Sequence, residues 1–155
     1  MTDYELLCEE LRSLGEEERH WLPLLANASA LLFEALEDVN WAGFYLLRGG
    51  GLLLGPFQGK AACIHIPLGR GVCGTAAAQD RTQLVPDVHA FPGHIACDSA
   101  SASEIVVPLH ENGRVIGVMD IDSPRPDRFS RADGAGLERF AALLEALADW
   151  KGELV

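Results

Sequence analysis

Trp41-Ala42-Gly43-Phe44-Tyr45-Leu46-Leu47, then Arg48-Gly49-Gly50-Gly51, then Leu52-Leu53-Leu54-Gly55-Pro56-Phe57 is the stretch where the apolar pattern of this chain stops being helical. Two short runs rich in apolar and aromatic residues flank three glycines, which supply the positive φ that a tight hairpin connection needs. They read as strands over 41–47 and 52–57. Upstream the repeat differs. Trp21, Leu24, Leu25, Ala28, Leu31, Leu32, Ala35 and Val39 recur at helical spacing, with Asn27, Glu34 and Asp38 off that stripe, so 19–39 reads as a helix. A weaker helix covers Tyr4 to Arg12.

Downstream, a third short strand is expected over Ala62 to Ile66, a short helix over Gly71 to Gln79, and a short strand from Gln83 to Val85 stopped by Pro86. Strands resume at Ile105 to Leu109 and Val115 to Ile121, with Asn112-Gly113 in the turn between them. A closing helix runs from Arg131 to Trp150, opened by Ser130 and Asp133 at capping-box spacing. Residues 87–103 show no periodicity, and a connection of that length inside a compact domain is usually functional. Helices first and last with hairpins between imply one α+β domain over residues 1–155. Its central antiparallel sheet would carry the N- and C-terminal helices on one face and ligand loops on the other.

The chain has 155 residues, 48% of them hydrophobic, which is enough for a sizeable core and argues against disorder. Its formal charge of −11 disfavours nucleic acid and anionic membrane surfaces, where basic patches supply the affinity. A small zwitterionic ligand stays compatible with it. The N-terminus shows no secretory signal and no apolar run is long enough to span a bilayer, so a cytoplasmic location is expected. In that compartment cysteine clusters are more often catalytic, redox-sensing or metal-binding than structural disulfides.

Three cysteines, Cys63, Cys73 and Cys97, stand 10 and 24 residues apart. Cys97 lies in His94-Ile95-Ala96-Cys97-Asp98-Ser99-Ala100-Ser101-Ala102-Ser103-Glu104, a run of small and polar residues suited to an accessible, working thiol. The plain alternative is a loop cysteine without a role. Cys63, alternating with apolar neighbours in a strand, and Cys73, opening a small-residue helix, are either partners for that thiol or buried small hydrophobes. Cys8, beside Leu7 and Leu11, reads as structural.

In Val115-Ile116-Gly117-Val118-Met119-Asp120-Ile121-Asp122, alternation puts Asp120 and Asp122 on one strand face with Ile116 and Val118. Two carboxyls on a partly apolar face raise the pKa of at least one, and an acid that holds its proton near neutral pH can act as a general acid. Glu104 could join them from the neighbouring strand. The alternative leaves Asp122 in the turn that follows and Asp120 on the surface. Trp41 and Tyr45 share a face, with Gly43 leaving space between them, and either pack the core or wall a ligand site. Gly69-Arg70-Gly71-Val72-Cys73-Gly74 matches a dinucleotide pattern but lacks its βαβ setting, so its glycines read as a tight strand-to-helix turn. Cys63, His65, His94 and Cys97 lack structural-zinc spacing. Neither a metal nor a cofactor is expected.

At these residues the chain resembles the free methionine-(R)-sulfoxide reductases built on a GAF domain. The resemblance runs from about Trp21 to Phe140. It rests on Asn40-Trp41-Ala42-Gly43-Phe44-Tyr45, Leu54-Gly55-Pro56-Phe57-Gln58-Gly59, the run from Ile66 through Gly74-Thr75-Ala76, and Pro86-Asp87-Val88. His94-Ile95-Ala96-Cys97-Asp98, Ser103-Glu104-Ile105-Val106-Val107-Pro108 and Gly117-Val118-Met119-Asp120-Ile121-Asp122 complete it. All three cysteines keep the family spacing. The resemblance implies that Cys97 is the nucleophile, Cys63 the principal resolving thiol and Cys73 a second. It implies that Glu104, Asp120 and Asp122 contact substrate and that Trp41 lines the site near its methyl group; Tyr45, on the same strand face, is the further substrate-wall candidate that spacing offers. It further implies action on the free amino acid, thioredoxin as reductant and a possible homodimer. A stand-alone GAF sensor of redox state or of a small ligand is the alternative, since fold alone does not separate the two.

Overall fold

The computed structural model describes residues 1–94 and 100–154. Six strands form one sheet in the order β3-β2-β1-β6-β5-β4: β1 (Trp41–Arg48), β2 (Gly51–Gly59), β3 (His65–Pro67), β4 (Gln83–Val85), β5 (Ser103–Glu111) and β6 (Arg114–Ser123). Every neighbouring pair is antiparallel. Helices α1 (Tyr4–Glu17), α2 (Trp21–Ala35) and α4 (Arg131–Leu147) cover one face, while the short α3 (Gly71–Gln79) lies on the other. This is the expected α+β arrangement. Among the described residues, no helix is long and apolar enough to cross a membrane.

The sheet separates two cores. On the helix side, Leu7 and Leu11 of α1, Leu25 and Leu32 of α2, and Phe140 and Leu144 of α4 meet Phe44, Ile105, Met119 and Ile121. On the other side, Trp41, Tyr45, Val106 and Val118 meet Val72, Cys73 and Ala76 of α3. Alternation along β1 and β6 thus feeds both cores at once, as expected of a sheet covered on both faces.

The closing helix starts as its sequence indicates. The Ser130 hydroxyl accepts from the Asp133 amide and the Asp133 carboxylate accepts from the Ser130 amide. Asp133 also accepts from the Tyr4 hydroxyl at 2.6 Å, tying α1 to the start of α4. At the far end, Arg19 donates to the carbonyls of Ala146 and Leu147, satisfying acceptors that a helix terminus leaves open.

Several expectations need correction. The 19–39 helix ends at Ala35, because Leu36 is extended and Asp38 takes a left-handed conformation, φ 55°. The first helix runs on to Glu17 rather than Arg12. The third strand is His65–Pro67, not Ala62 to Ile66, so Cys63 stands in a loop before it. Two side chains of β1 anchor that loop: the Trp41 indole donates to the Lys60 carbonyl at 3.1 Å and the Tyr45 hydroxyl to the Cys63 carbonyl at 3.0 Å. The 87–103 stretch contains a turn of 3-10 helix at Val88–Ala90, and β5 already begins at Ser103. Lastly, Ile116 packs with the helix-side core rather than beside Asp120. Leu109 pairs with Gly117 but His110 with Val115, so a bulge inserts one residue into β6 and reverses its parity there.

His110, just beyond that bulge, is held between elements. Its ring nitrogens lie 2.6 Å from the Glu145 carboxylate of α4 and 2.5 Å from Asp80, which follows α3. Partial burial lowers its pKa, but the two carboxylates outweigh this and the net shift is upward from 6.5. A histidine whose pKa is raised on folding stabilises most below its unfolded pKa, and that contribution fades as pH climbs through the folded value. The stability difference between the parent and His110→Gln in urea melts is therefore expected to be largest below about pH 6.5 and to shrink above it. A difference that grows with pH would contradict this reading.

Candidate active site

The site is laid out by strand register. Across β1, β6 and β5, Trp41 pairs with Asp122 and Asp122 with Glu104, so an indole and two carboxyls stand in one row. In the next row on this face, Gly43 pairs with Asp120 and Asp120 with Val106. Strand alternation then sets Trp41, Tyr45, Glu104, Asp120 and Asp122 on one side of the sheet, and all five line a single pocket. Cys73 descends into it from α3, while Lys60, Ala62, Arg70, His94 and Ser101 form the loop walls. Neither bland alternative for the acids holds, because Asp122 lies within β6 and Asp120 is buried, with 5% of its surface exposed.

Gly43 does not leave space for a ligand. A Cβ there would fall 2.3 Å from the Phe57 Cβ, so the gap is already taken by Phe57. Phe57 stacks on Trp41 at 5.2 Å between ring centroids, and Trp41 stacks on Tyr45 at 5.9 Å. The indole is thereby fixed as a flat apolar wall beside the acids.

The acids modify one another. Burial pushes Glu104 well above the usual carboxylate range, and Asp120 and Asp122 push it further. Burial also raises Asp120, while hydrogen bonding with Glu104, Cys73 and Asp122 pulls it partly back. Removing solvent penalises the charged form, and a like charge next door adds to the penalty. Glu104 and Asp120 therefore hold protons above the usual carboxylate range. Asp120 Oδ1 is buried and meets no hydrogen-bond partner among the described residues. Such an oxygen is ready for a donor on a ligand.

The thiols divide by state. Cys63 is disulfide-bonded, whereas Cys8 and Cys73 are free. Cys73 is buried, its Sγ donating toward Glu104 Oε2 at 3.9 Å. Burial, followed by the nearby acids, raises its pKa well above the usual thiol value, so it stays protonated and weakly nucleophilic. Cys97 lies outside the described residues. Cys8 belongs to the helix-side core, away from the pocket.

The glycine-rich run is a turn. Gly69 and Gly71 have φ of 81° and 64°, and a Cβ on Gly74 would strike the Pro67 carbonyl at 2.5 Å. These glycines bring α3, and with it Cys73, close to the sheet. Among the described residues, one group has the donors and spacing for a metal: Cys73, Glu104 and Asp120. It differs from the Cys63, His65, His94 and Cys97 set considered from sequence. The loop walls at Lys60, Arg70 and Ser101 were not anticipated, since loop residues carry no periodic signal. Nor does His94, which stands in the aperiodic segment leading to Cys97.

A GAF domain profile matches residues 25–147. The chain belongs to the GAF domain family. Within that family it is 54% identical over 151 residues to the free methionine-R-sulfoxide reductase of Escherichia coli (strain K12), covering 96% of this chain and 92% of that one. Its structure is similar to that of fRMsr of Staphylococcus aureus in the reduced form, with a TM-score of 0.92, 52% identity, and 95% and 96% of the two chains covered. It is also similar to free methionine-R-sulfoxide reductase from Neisseria meningitidis in complex with its substrate, with a TM-score of 0.89 and 46% identity over 93% of this chain and 87% of that one. The GAF pocket described above, on the sheet face opposite the long helices, thus belongs to a fold that holds a substrate in a close relative.

Proposed function

We propose that this GAF protein is an oxidoreductase that reduces free methionine-(R)-sulfoxide to methionine. The observation that carries the reading is the meeting, in one pocket, of an indole wall and three clustered carboxyls, walled at Lys60 to Ala62 by the loop that also carries the disulfide-bonded Cys63. Each part matches a part of the substrate. The Trp41 face suits the S-methyl group, since sulfur and methyl pack well against an aromatic ring. The acids suit the polar ends: one carboxylate neutralises the ammonium, and a protonated neighbour donates to the sulfoxide oxygen. Methionine within a protein chain has no such ammonium, which favours the free amino acid.

The chemistry follows from what each group can do. Sulfoxide sulfur is electrophilic, but its oxygen leaves only when protonated or strongly hydrogen-bonded. Glu104 and Asp120, whose burial keeps protons on them, supply that assistance. The Cys97 thiolate takes the attacking role. Oxygen passes to its sulfur, the sulfoxide is reduced by two electrons to the thioether, and Cys97 becomes a sulfenic acid. The Cys63 thiol condenses with it, releasing water and leaving a disulfide. A dithiol such as thioredoxin then returns both thiols by exchange, in the cytoplasm where that reductant acts. The bonded state of Cys63 beside a free Cys73 supports Cys63 as the principal resolving thiol. Its loop position supports this too, because resolution needs a thiol free to approach.

Quenched-flow measurement of methionine release tests the order of these steps. Cys63→Ser is expected to release about one methionine per protein in the first cycle, at nearly the parent rate, and then to turn over with thioredoxin at least about tenfold more slowly. Loss of the first-cycle methionine would remove Cys63 from the resolving role.

A further inference from the structure

The Cys73–Glu104–Asp120 corner has a second capacity. It joins a thiol from α3, a carboxyl from β5 and a carboxyl from β6, all three buried, with one ligating atom from each within 4.8 Å of the others. One of its oxygens, Asp120 Oδ1, is buried without a hydrogen-bond partner among the described residues. We propose that these three side chains form a binding site for a thiophilic divalent cation of the zinc type, and that an ion there blocks the pocket.

The distances suit such an ion. A tetrahedral centre with sulfur at about 2.3 Å and two oxygens at about 2.1 Å sets sulfur about 3.6 Å from each oxygen and the oxygens about 3.4 Å apart. Cys73 Sγ already stands 3.9 Å from Glu104 Oε2, so closure asks only a few tenths of an ångström of that pair. The ion would also replace repulsion among clustered acids by attraction to a shared positive charge. Three protein ligands leave a fourth position open toward the pocket, as in zinc sites that keep an exchangeable ligand. The mixed thiol and carboxylate set selects against magnesium and calcium, which prefer oxygen alone. Binding leaves the cation divalent: Cys73 loses its proton, any proton held between Glu104 and Asp120 is displaced, and the buffer accepts both. No electron moves.

Because these acids are the ones assigned to substrate, exclusion of the amino acid by the metal rests on the proposed function, whereas binding of the metal does not. The test therefore reads the metal directly. Protein with its disulfide intact is titrated anaerobically with Co2+, whose bond to a thiolate gives a near-ultraviolet charge-transfer band. Among the described residues, Cys8 and Cys73 are the free thiols in that state. The band is expected in the parent and in Cys8→Ser, and is expected to vanish in Cys73→Ser. Glu104→Gln and Asp120→Asn should each weaken Zn2+ binding, measured by displacement of Co2+, by at least about tenfold. Mg2+ in excess should displace nothing. A band that survives Cys73→Ser, or parent protein with native near-ultraviolet circular dichroism and no band, would overturn the proposal. Free methionine that suppresses the band competitively ties the metal to the substrate pocket. A band indifferent to methionine, with the three variants behaving as stated, keeps the metal site and removes its blocking role.

Discussion

Replacing Cys97 with serine is expected to abolish turnover of free methionine-(R)-sulfoxide, by at least about a thousandfold or roughly 4 kcal/mol of lost transition-state stabilisation. A serine hydroxyl is not ionised near neutral pH and has no counterpart of the sulfenic acid, so neither the attack nor the oxygen transfer has a substitute. The remaining thiols do not rescue it. Cys73 is held protonated by burial and by the acids, and Cys8 belongs to the core on the opposite face of the sheet. Methionine release with excess dithiothreitol checks this without depending on any protein reductant. A Cys97→Ser variant retaining a tenth of the parent rate would move the nucleophile elsewhere.

The second large effect is expected at the acids. Asp120→Asn and Glu104→Gln preserve shape while removing the ability to give up a proton or carry a negative charge. Each should lower kcat/KM on the free sulfoxide by at least about tenfold, or about 1.4 kcal/mol. Steady-state kinetics separates their roles: a variant damaged in kcat marks the proton donor, and one damaged in KM marks the group that holds the ammonium. The fold should tolerate both, because removing one of several clustered like charges relieves repulsion in a site where burial already penalises ionisation. Near-parent kinetics in both variants would show that the substrate does not use this face of the sheet.

The parts of this arrangement that local chemistry dictates were open to reading in the sequence. The helix at Gly71–Gln79 and the strand at Gln83–Val85 have the bounds that their glycines and Pro86 indicate. Ser130 and Asp133 make the capping box that their spacing implies. Asp120 and Asp122 share a face with Trp41 and Tyr45, because strand alternation is rigid over a few residues. What was not legible depends on tertiary context. The bulge opposite His110 reverses the parity of Ile116, and nothing local to Val115-Ile116-Gly117 announces it. Cys63 sits among apolar residues that look like a strand, yet Ile64 beside it is 60% exposed, and the Trp41 and Tyr45 hydrogen bonds hold the segment as a loop. Gly43 reads as an opening, but Phe57 from the paired strand fills it. In each case the deciding partner is distant in sequence.

The central claim is that this pocket reduces the free amino acid through a thiol cycle. It is tested most directly by following NADPH consumption with purified protein, thioredoxin and thioredoxin reductase, offering the two epimers of free methionine sulfoxide separately. The account predicts steady consumption with the R epimer, none with the S epimer, and none when the R sulfoxide is supplied within a peptide. No consumption with the free R epimer, in a protein that binds it and keeps its fold, would contradict the account and leave a ligand-sensing GAF domain in its place.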